Sequence, residues 1–374
     1  MPIPINDAPM PTWILITALL ALCWGSARQV KPGALLPPSV SQELKGVAIL
    51  AVLFSHIGLF LVSDHRFLFP LSIAAGVGVN IFLFLSGFGL TTGMLNRKMP
   101  VLAFYRRRLT KVFIPFWIAL TAFFVLDASV LSRTYSLQYI VQSAVGFFPR
   151  ADVTDDVNSP FWYITWILMY YLLLPLGFST RRPWLSAIAL FAIGEAIVAW
   201  NPPAIGLVTR LYVVHTAAFP LGMIAAWLLY VPKGGQNPLV ERLQALRDGL
   251  SAPAYYTGCA LLSAVVGYFA YYSGIGEGPW KEQIISLITM TALTLLFMLK
   301  RVELGFISLI GLYSYEIYLL HWPLLARYDM LYHKLPAWLA TGLYLAIFLA
   351  LGRAVQKATE PLDALFEKPA KAMA

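Results

Sequence analysis

The sequence predicts an all-α fold, a polytopic membrane bundle of about ten transmembrane helices preceded by an N-terminal apolar segment. Three observations predict it. Hydrophobic residues fill 59% of the 374 positions and charged residues only 12%, against about 25% charged in a soluble domain. The mean hydropathy is +0.71. The apolar runs are continuous over roughly 17 to 25 residues, the length a helix needs to cross a bilayer core, and they lack the alternating ~10-residue pattern of barrel strands. Lipid offers the backbone no hydrogen bonds, so spanning segments close their own as helices.

Taken in order, a leading apolar segment lies at about 12–26. It has no basic stretch before it, as a signal peptide would, and it reads as a true span with its N-terminus outside. Ten further spans follow at about 46–62, 71–93, 112–130, 160–178, 184–200, 207–230, 253–273, 283–299, 304–326 and 336–356. The stretch 136–148, "SLQYIVQSAVGFF", is too short to cross and reads as an interfacial or re-entrant helix. By this reading residues 1–40 form an N-terminal segment, 41–362 the membrane domain and 363–374 a short cytoplasmic tail.

Basic residues orient the bundle. Arg66, Arg133, Arg150, Arg210, Lys281, Arg327 and Lys334 fall on one side; the other twenty of the 27 Lys and Arg, Lys31 and Lys98 among them, fall on the opposite side. The richer side is cytoplasmic by the positive-inside rule. This bias accounts for the net charge of +9 without a nucleic-acid partner. The two cysteines, Cys23 and Cys259, sit inside apolar runs and have neither metal-ligand nor disulfide spacing; no metal is expected.

This topology gives each polar residue a depth. "KGVAILAVLFSH" places Lys45 at the cytoplasmic mouth of its span and His56 eleven residues on. Eleven residues are close to three helical turns, so both side chains share a face, with a rise between them of roughly 16 Å. Ser314, Tyr318 and His321 recur at i, i+4 and i+7 on one face of another span, with Glu316 on a different face. Glu195 and His215 lie in the outer halves of theirs. Ionisable groups at such depth usually face a cavity or a partner. Each also has a plainer role. Lys45 can be a snorkelling anchor, "YRRRLTK" (105–111) a topogenic cluster, a lone histidine a helix–helix hydrogen-bonder, "SGFG" (86–89) a packing patch, and Glu195 the partner of Arg210 or a histidine.

The order "ELKGVAILAVLFSH", "NIFLFLSGFGL", "FYRRRLTKVFIPFW", "PFWYITWILMYYLLLP", "FPLGMIAAW", "YSYEIYLLHWPLL" resembles acyltransferase family 3, from about residue 41 to 362. The resemblance implies transfer of an acyl group, commonly acetyl, from cytoplasmic acyl-CoA to a hydroxyl of a carbohydrate or glycolipid acceptor. The setting it implies is a bacterial inner membrane, with membrane lipids around the chain and partner proteins of a glycan pathway beside it. In that family an arginine, ten residues and a histidine form a motif needed for activity. Here Lys45 stands for the arginine, offering a point charge in place of a planar fork, and His56 matches the histidine. The family's second basic motif maps onto Arg107, Arg108 and Lys111, with approximate spacing. Many members carry a glutamate in the span corresponding to 160–178; none occurs here.

On this resemblance Arg106, Arg107, Arg108 and Lys111 hold the donor phosphates with Lys45 nearby, and His56 acts as general base. Ser86 or Tyr318 orients the acceptor or the thioester carbonyl. Glu195, His215, Ser314 and His321 are further polar candidates, His321 as a second contact or a structural partner. Two other readings of the same residues are a transporter or flippase whose buried polar groups line a path, and an accessory channel subunit passing acyl groups to a separate transferase.

Overall fold

In the computed structural model the chain is all-helical apart from one short strand pair. It describes residues 3, 5, 7–30, 33–97, 99–274 and 278–372, so Lys31 and Lys98 lie outside the described residues. The helices are α1 (Pro9–Gly25), α2 (Pro38–Leu59), α3 (Ala75–Asn96), α4 (Val101–Arg108), α5 (Ile114–Val130), α6 (Leu137–Ala144), α7 (Trp162–Gly177), α8 (Pro183–Trp200), α9 (Thr209–Val213), α10 (Ala218–Leu229), α11 (Pro238–Asp248), α12 (Ala252–Tyr271), α13 (Pro279–Leu299), α14 (Gly305–Leu312), α15 (Ser314–Ala326) and α16 (Ala337–Ala372). Five of them begin on proline, whose fixed φ suits the first helical position and whose missing N–H is not needed there. Ser136, Asn237 and Ser251 cap α6, α11 and α12 by accepting backbone N–H groups of the first turn.

Among the described residues, eight helical stretches are long and apolar enough to cross a membrane, the longest being Val101–Val130, which joins α4 and α5. The other expected spans are built differently. The run at 253–273 forms α12, which meets α11 at 108°. The run at 304–326 is broken at Tyr313 into α14 and α15; Ser314, Glu316 and His321 dilute its apolarity where the break falls. The leading segment forms the shorter apolar helix α1. The stretch 136–148 holds only the eight-residue α6, too short to span, as expected.

Backbone-to-backbone crossings set the centre of the bundle. A Cβ on Gly87 of α3 would strike the Phe219 carbonyl of α10, and one on Gly222 of α10 would strike the Phe84 carbonyl of α3. Gly46 of α2 and Gly311 of α14 stand in the same relation, against Ile307 and Gln42. Between lipid-exposed helices, where apolar burial drives little association, such close approach is the main source of packing energy.

Buried ion pairs close both ends. Glu43, 1% exposed, accepts Lys300 Nζ on both carboxylate oxygens at 2.8 Å and the Leu304 amide at 2.5 Å. This ties α2 to the strand pair β1 (Ala27–Gln29) and β2 (Val302–Leu304), which run antiparallel. At the other end Arg327 pairs with the fully buried Asp127, which also accepts the hydroxyls of Tyr135 at 2.5 Å and Tyr328 at 2.7 Å. Arg327 further donates to the Asp156 carbonyl, and Asp156 accepts Arg150 Nε at 2.8 Å. The acidic loop 150–160 is therefore held against the bundle.

The glycine crossings give a signed prediction. Gly222→Ala should lower stability by about 1–3 kcal/mol through overpacking. Gly93→Ala, where nothing lies within 4 Å of the new Cβ, should raise it by about 0.5–1 kcal/mol through helix propensity. Thermal unfolding of both variants in detergent checks the pair, and equal shifts would contradict the packing described.

Candidate functional site

A cavity of about 950 Å³ runs between the helices. At one end it is lined by Lys45, Arg108 and Lys111, at the other by Arg210, His215 and Glu282, and between them by apolar side chains such as Val52, Phe82, Leu85 and Ile167. Eight residues anticipated from sequence line it: Lys45, His56, Ser86, Arg108, Lys111, His215, Ser314 and Tyr318. His321 lies just behind that lining, fully buried. Arg106, Arg107 and Glu195 are not among the lining residues. Arg107 is exposed and Arg106 half-buried on the outer side of α4, and Glu195 is half-buried on α8, with no ion pair to Arg210 or a histidine.

The basic end owes its form to a local break in helix register. After Arg108 the chain makes a π-helical turn over Leu109–Phe113 before α5, a distortion that often marks functional sites. Arg108 and Lys111 both reach the cavity across that turn, whereas the two preceding arginines do not. Arg108 lies over the rings of Phe104 and Tyr171, at 5.9 and 5.8 Å, and its Nε is buried without a partner. Lys45 lines the same cavity as Arg108. Among the described residues neither Lys45 nor Arg108 has a carboxylate partner. Two cations brought to one end of a cavity without an acid form a site suited to an anion.

Midway along the cavity two imidazoles are in series. His56 Nδ1 lies 2.7 Å from His321 Nε2, the rings nearly parallel, 5.0 Å between centroids. His321 Nδ1 lies 3.0 Å from the Ile317 carbonyl and 2.9 Å from that of Tyr318. A carbonyl only accepts, so His321 Nδ1 carries the proton and its Nε2 holds a lone pair in the neutral ring. His56 Nδ1–H then donates to that lone pair, and His56 Nε2 is left unprotonated, with no protein partner among the described residues, on a residue that lines the cavity. Trp322 packs edge-on to His56 at 4.9 Å and Phe60 packs against Trp322, fixing the ring. The three-turn spacing of Lys45 and His56 does bring both to one cavity, and the i, i+4, i+7 face of α15 delivers Ser314 and Tyr318 to its wall, with His321 behind them.

Other polar groups are already engaged. Tyr318 donates its hydroxyl to the Pro160 carbonyl at 2.6 Å, leaving only a lone pair for a ligand. Ser86 Oγ and Tyr171 Oη share a hydrogen bond of 2.9 Å. Two residues that sequence reasoning missed are Asn80 and Trp322. Asn80 was the one amide inside an otherwise apolar run, "VGVNIFLFL", a signal available in the sequence. Trp322 followed His321 with nothing to separate it from other interfacial tryptophans.

A family model described as an acyltransferase domain matches residues 44–353, which contain every residue of the cavity named above. No curated protein and no solved structure matches the chain.

If the Lys45–Arg108 end suits an anion, a polyphosphate should bind there and stabilise the fold. Tripolyphosphate at a hundred times its Kd should add about 2.7 kcal/mol, read as a rise in Tm. Lys45→Gln and Arg108→Gln should each remove that rise. A shift unchanged in both variants would place the anion elsewhere.

Proposed function

Since the chain belongs to acyltransferase family 3, a family of membrane acyltransferases, we propose that it moves an acyl group, acetyl in the simplest case, from cytoplasmic acyl-CoA to a hydroxyl of a saccharide or lipid-linked glycan. The proposed setting is the inner membrane of a bacterium, with the Lys45 end of the cavity facing the cytoplasm. One observation carries this reading. An imidazole whose proton is confined to one nitrogen turns its basic nitrogen into a cavity that also holds Lys45 and Arg108, neither of which has a carboxylate partner among the described residues.

The donor's phosphates would rest on Lys45, Arg108 and Lys111, where ammonium and guanidinium groups make charge-assisted hydrogen bonds. Arg106 and Arg107 would contribute only at longer range. The pantetheine arm would follow the apolar waist toward His56. There His56 Nε2 takes the proton of the acceptor hydroxyl as its oxygen attacks the thioester carbonyl. The C–O bond forms, the tetrahedral intermediate collapses, and the C–S bond breaks. The proton held at Nε2 passes to the leaving sulfur, giving CoA as free thiol and the acyl ester. His321 touches no substrate; it is a positioning residue that fixes the tautomer of His56 and stabilises the imidazolium formed midway, as the third member of a catalytic triad does.

The test uses protein in nanodiscs with radiolabelled acetyl-CoA. His56→Ala should lower turnover by about 10²–10⁴-fold, the usual contribution of a general base, without loss of folded protein. Lys45→Ala should weaken donor binding. Undiminished transfer by His56→Ala would remove the mechanism, and a wild type that neither binds nor consumes acyl-CoA would remove the function. His321→Ala should fall between wild type and His56→Ala. His321→Gln, whose amide oxygen can accept from His56 Nδ1–H, should recover at least tenfold over His321→Ala. Equal rates in the two His321 variants would reduce that residue to packing.

A further inference from the structure

The cavity contains a second imidazole prepared in the same manner as the first. His215 follows α9, is 4% exposed, and has Nδ1 2.7 Å from Asn80 Oδ1. Asn80 is fully buried on α3. Its Nδ2 donates to Ser286 Oγ of α13 at 2.8 Å and to the Val214 carbonyl at 3.4 Å, so the amide cannot be turned round and Oδ1 is the acceptor. His215 Nδ1 therefore donates, and Nε2 of the neutral ring holds a lone pair. Trp162 stacks on the ring at 5.5 Å, 18° from parallel, and holds its plane. Among the described residues Nε2 has no protein partner, and His215 lines the cavity.

Helix gluing alone does not account for this arrangement. Interhelical hydrogen bonds in membranes contribute about 0.6 kcal/mol on average, and the Asn80–Ser286 bond already joins α3 to α13. An unpartnered acceptor facing a cavity at membrane depth is a cost unless something donates to it. The groups around it differ in kind from those at the basic end. Glu282, 5% exposed, supplies a carboxylate whose Oε1 also accepts the Gly278 amide at 3.3 Å, Arg210 a guanidinium, and Ser273 a hydroxyl whose proton goes to the Ala270 carbonyl at 2.7 Å, leaving its lone pairs. Donors and acceptors of both signs within one wall match a neutral ligand rich in hydroxyls, not a polyanion and not an acyl chain.

Resting on the acyltransferase reading above, we infer that His215, with Arg210 and Glu282, forms the acceptor subsite, and that His215 Nε2 accepts a hydrogen bond from a saccharide hydroxyl other than the one acylated. The subsite binds and orients; the proton of the reacting hydroxyl still goes to His56. Two imidazoles in one cavity then have separate tasks, each set by what holds its Nδ1–H.

The test measures acetyl transfer from acetyl-CoA to methyl α-glucoside, methyl α-galactoside and methyl α-mannoside and to their monodeoxy analogues, for wild type and His215→Phe, which keeps the ring but removes both nitrogens. The expected result is a KM for the glycoside raised at least tenfold in the variant, with the Kd for acetyl-CoA within twofold of wild type. One deoxy position should also lose its penalty in the variant, because the hydroxyl and the imidazole form a single interaction. If His215→Phe does not fold, as judged by acetyl-CoA binding, His215→Gln is measured in the same way. An unchanged glycoside KM, or deoxy penalties identical in wild type and variant, overturns the subsite. A wild type that hydrolyses acetyl-CoA but acetylates none of the glycosides overturns the saccharide assignment alone. A wild type that does not use acetyl-CoA at all brings down the acyltransferase reading and the subsite with it.

Discussion

A polar group at bilayer depth must find its partner within the protein, because lipid provides none. That constraint governs this fold more than any single contact does. It explains why the carboxylate of Glu43 is met by both Lys300 and a backbone amide, and why Asp127 collects an arginine and two tyrosines. It also explains why the imidazoles are never alone. His56 leans on His321, which leans on two carbonyls; His215 leans on Asn80, which leans on Ser286. Each series ends in a group that can only accept or whose orientation is fixed by others. The tautomer of the outermost ring is thereby decided several atoms away from where it is used.

Four groups on the cavity wall stand apart from these series. Among the described residues, Lys45 and Arg108 line one end without a carboxylate partner, and Nε2 of His56 and of His215 have no protein donor. All of these lie on one cavity. At bilayer depth a cation or acceptor that faces a cavity is best met by a second molecule. The distribution is ordered as well: cations at one end, an imidazole at mid-depth, and mixed donors and acceptors at the other end. That order runs the same way as a reaction joining a polyanionic thioester to a polyhydroxylated acceptor.

Much of this was legible in the sequence. Composition and run length require helices, and the three-turn spacing of Lys45 and His56 requires a common face; both follow from local geometry. The same logic places Ser314, Tyr318 and His321 together. What the sequence withheld was everything that depends on two segments meeting. The pairing of His56 with His321 spans 265 positions, and no local pattern encodes it. The contribution of Arg108 over Arg106 and Arg107 depends on a π-helical turn that a strict 3.6-residue period does not anticipate. The run at 304–326 reads as one span because hydropathy sums over the break at Tyr313. Glu195 looked as significant as His215 because depth alone does not say which way a side chain points.

The glycine crossings have a consequence for motion. Where a carbonyl rests directly on a glycine Cα, sliding either helix by one residue brings a Cβ onto that carbonyl, so the register has one solution. Alternating access, in which one half of a bundle rocks against the other, needs interfaces with two acceptable packings. The α2–α14 and α3–α10 crossings offer one. The walls these helices give the cavity therefore behave as a fixed frame. Substrates arriving from opposite faces of the membrane would meet in a chamber that stands still.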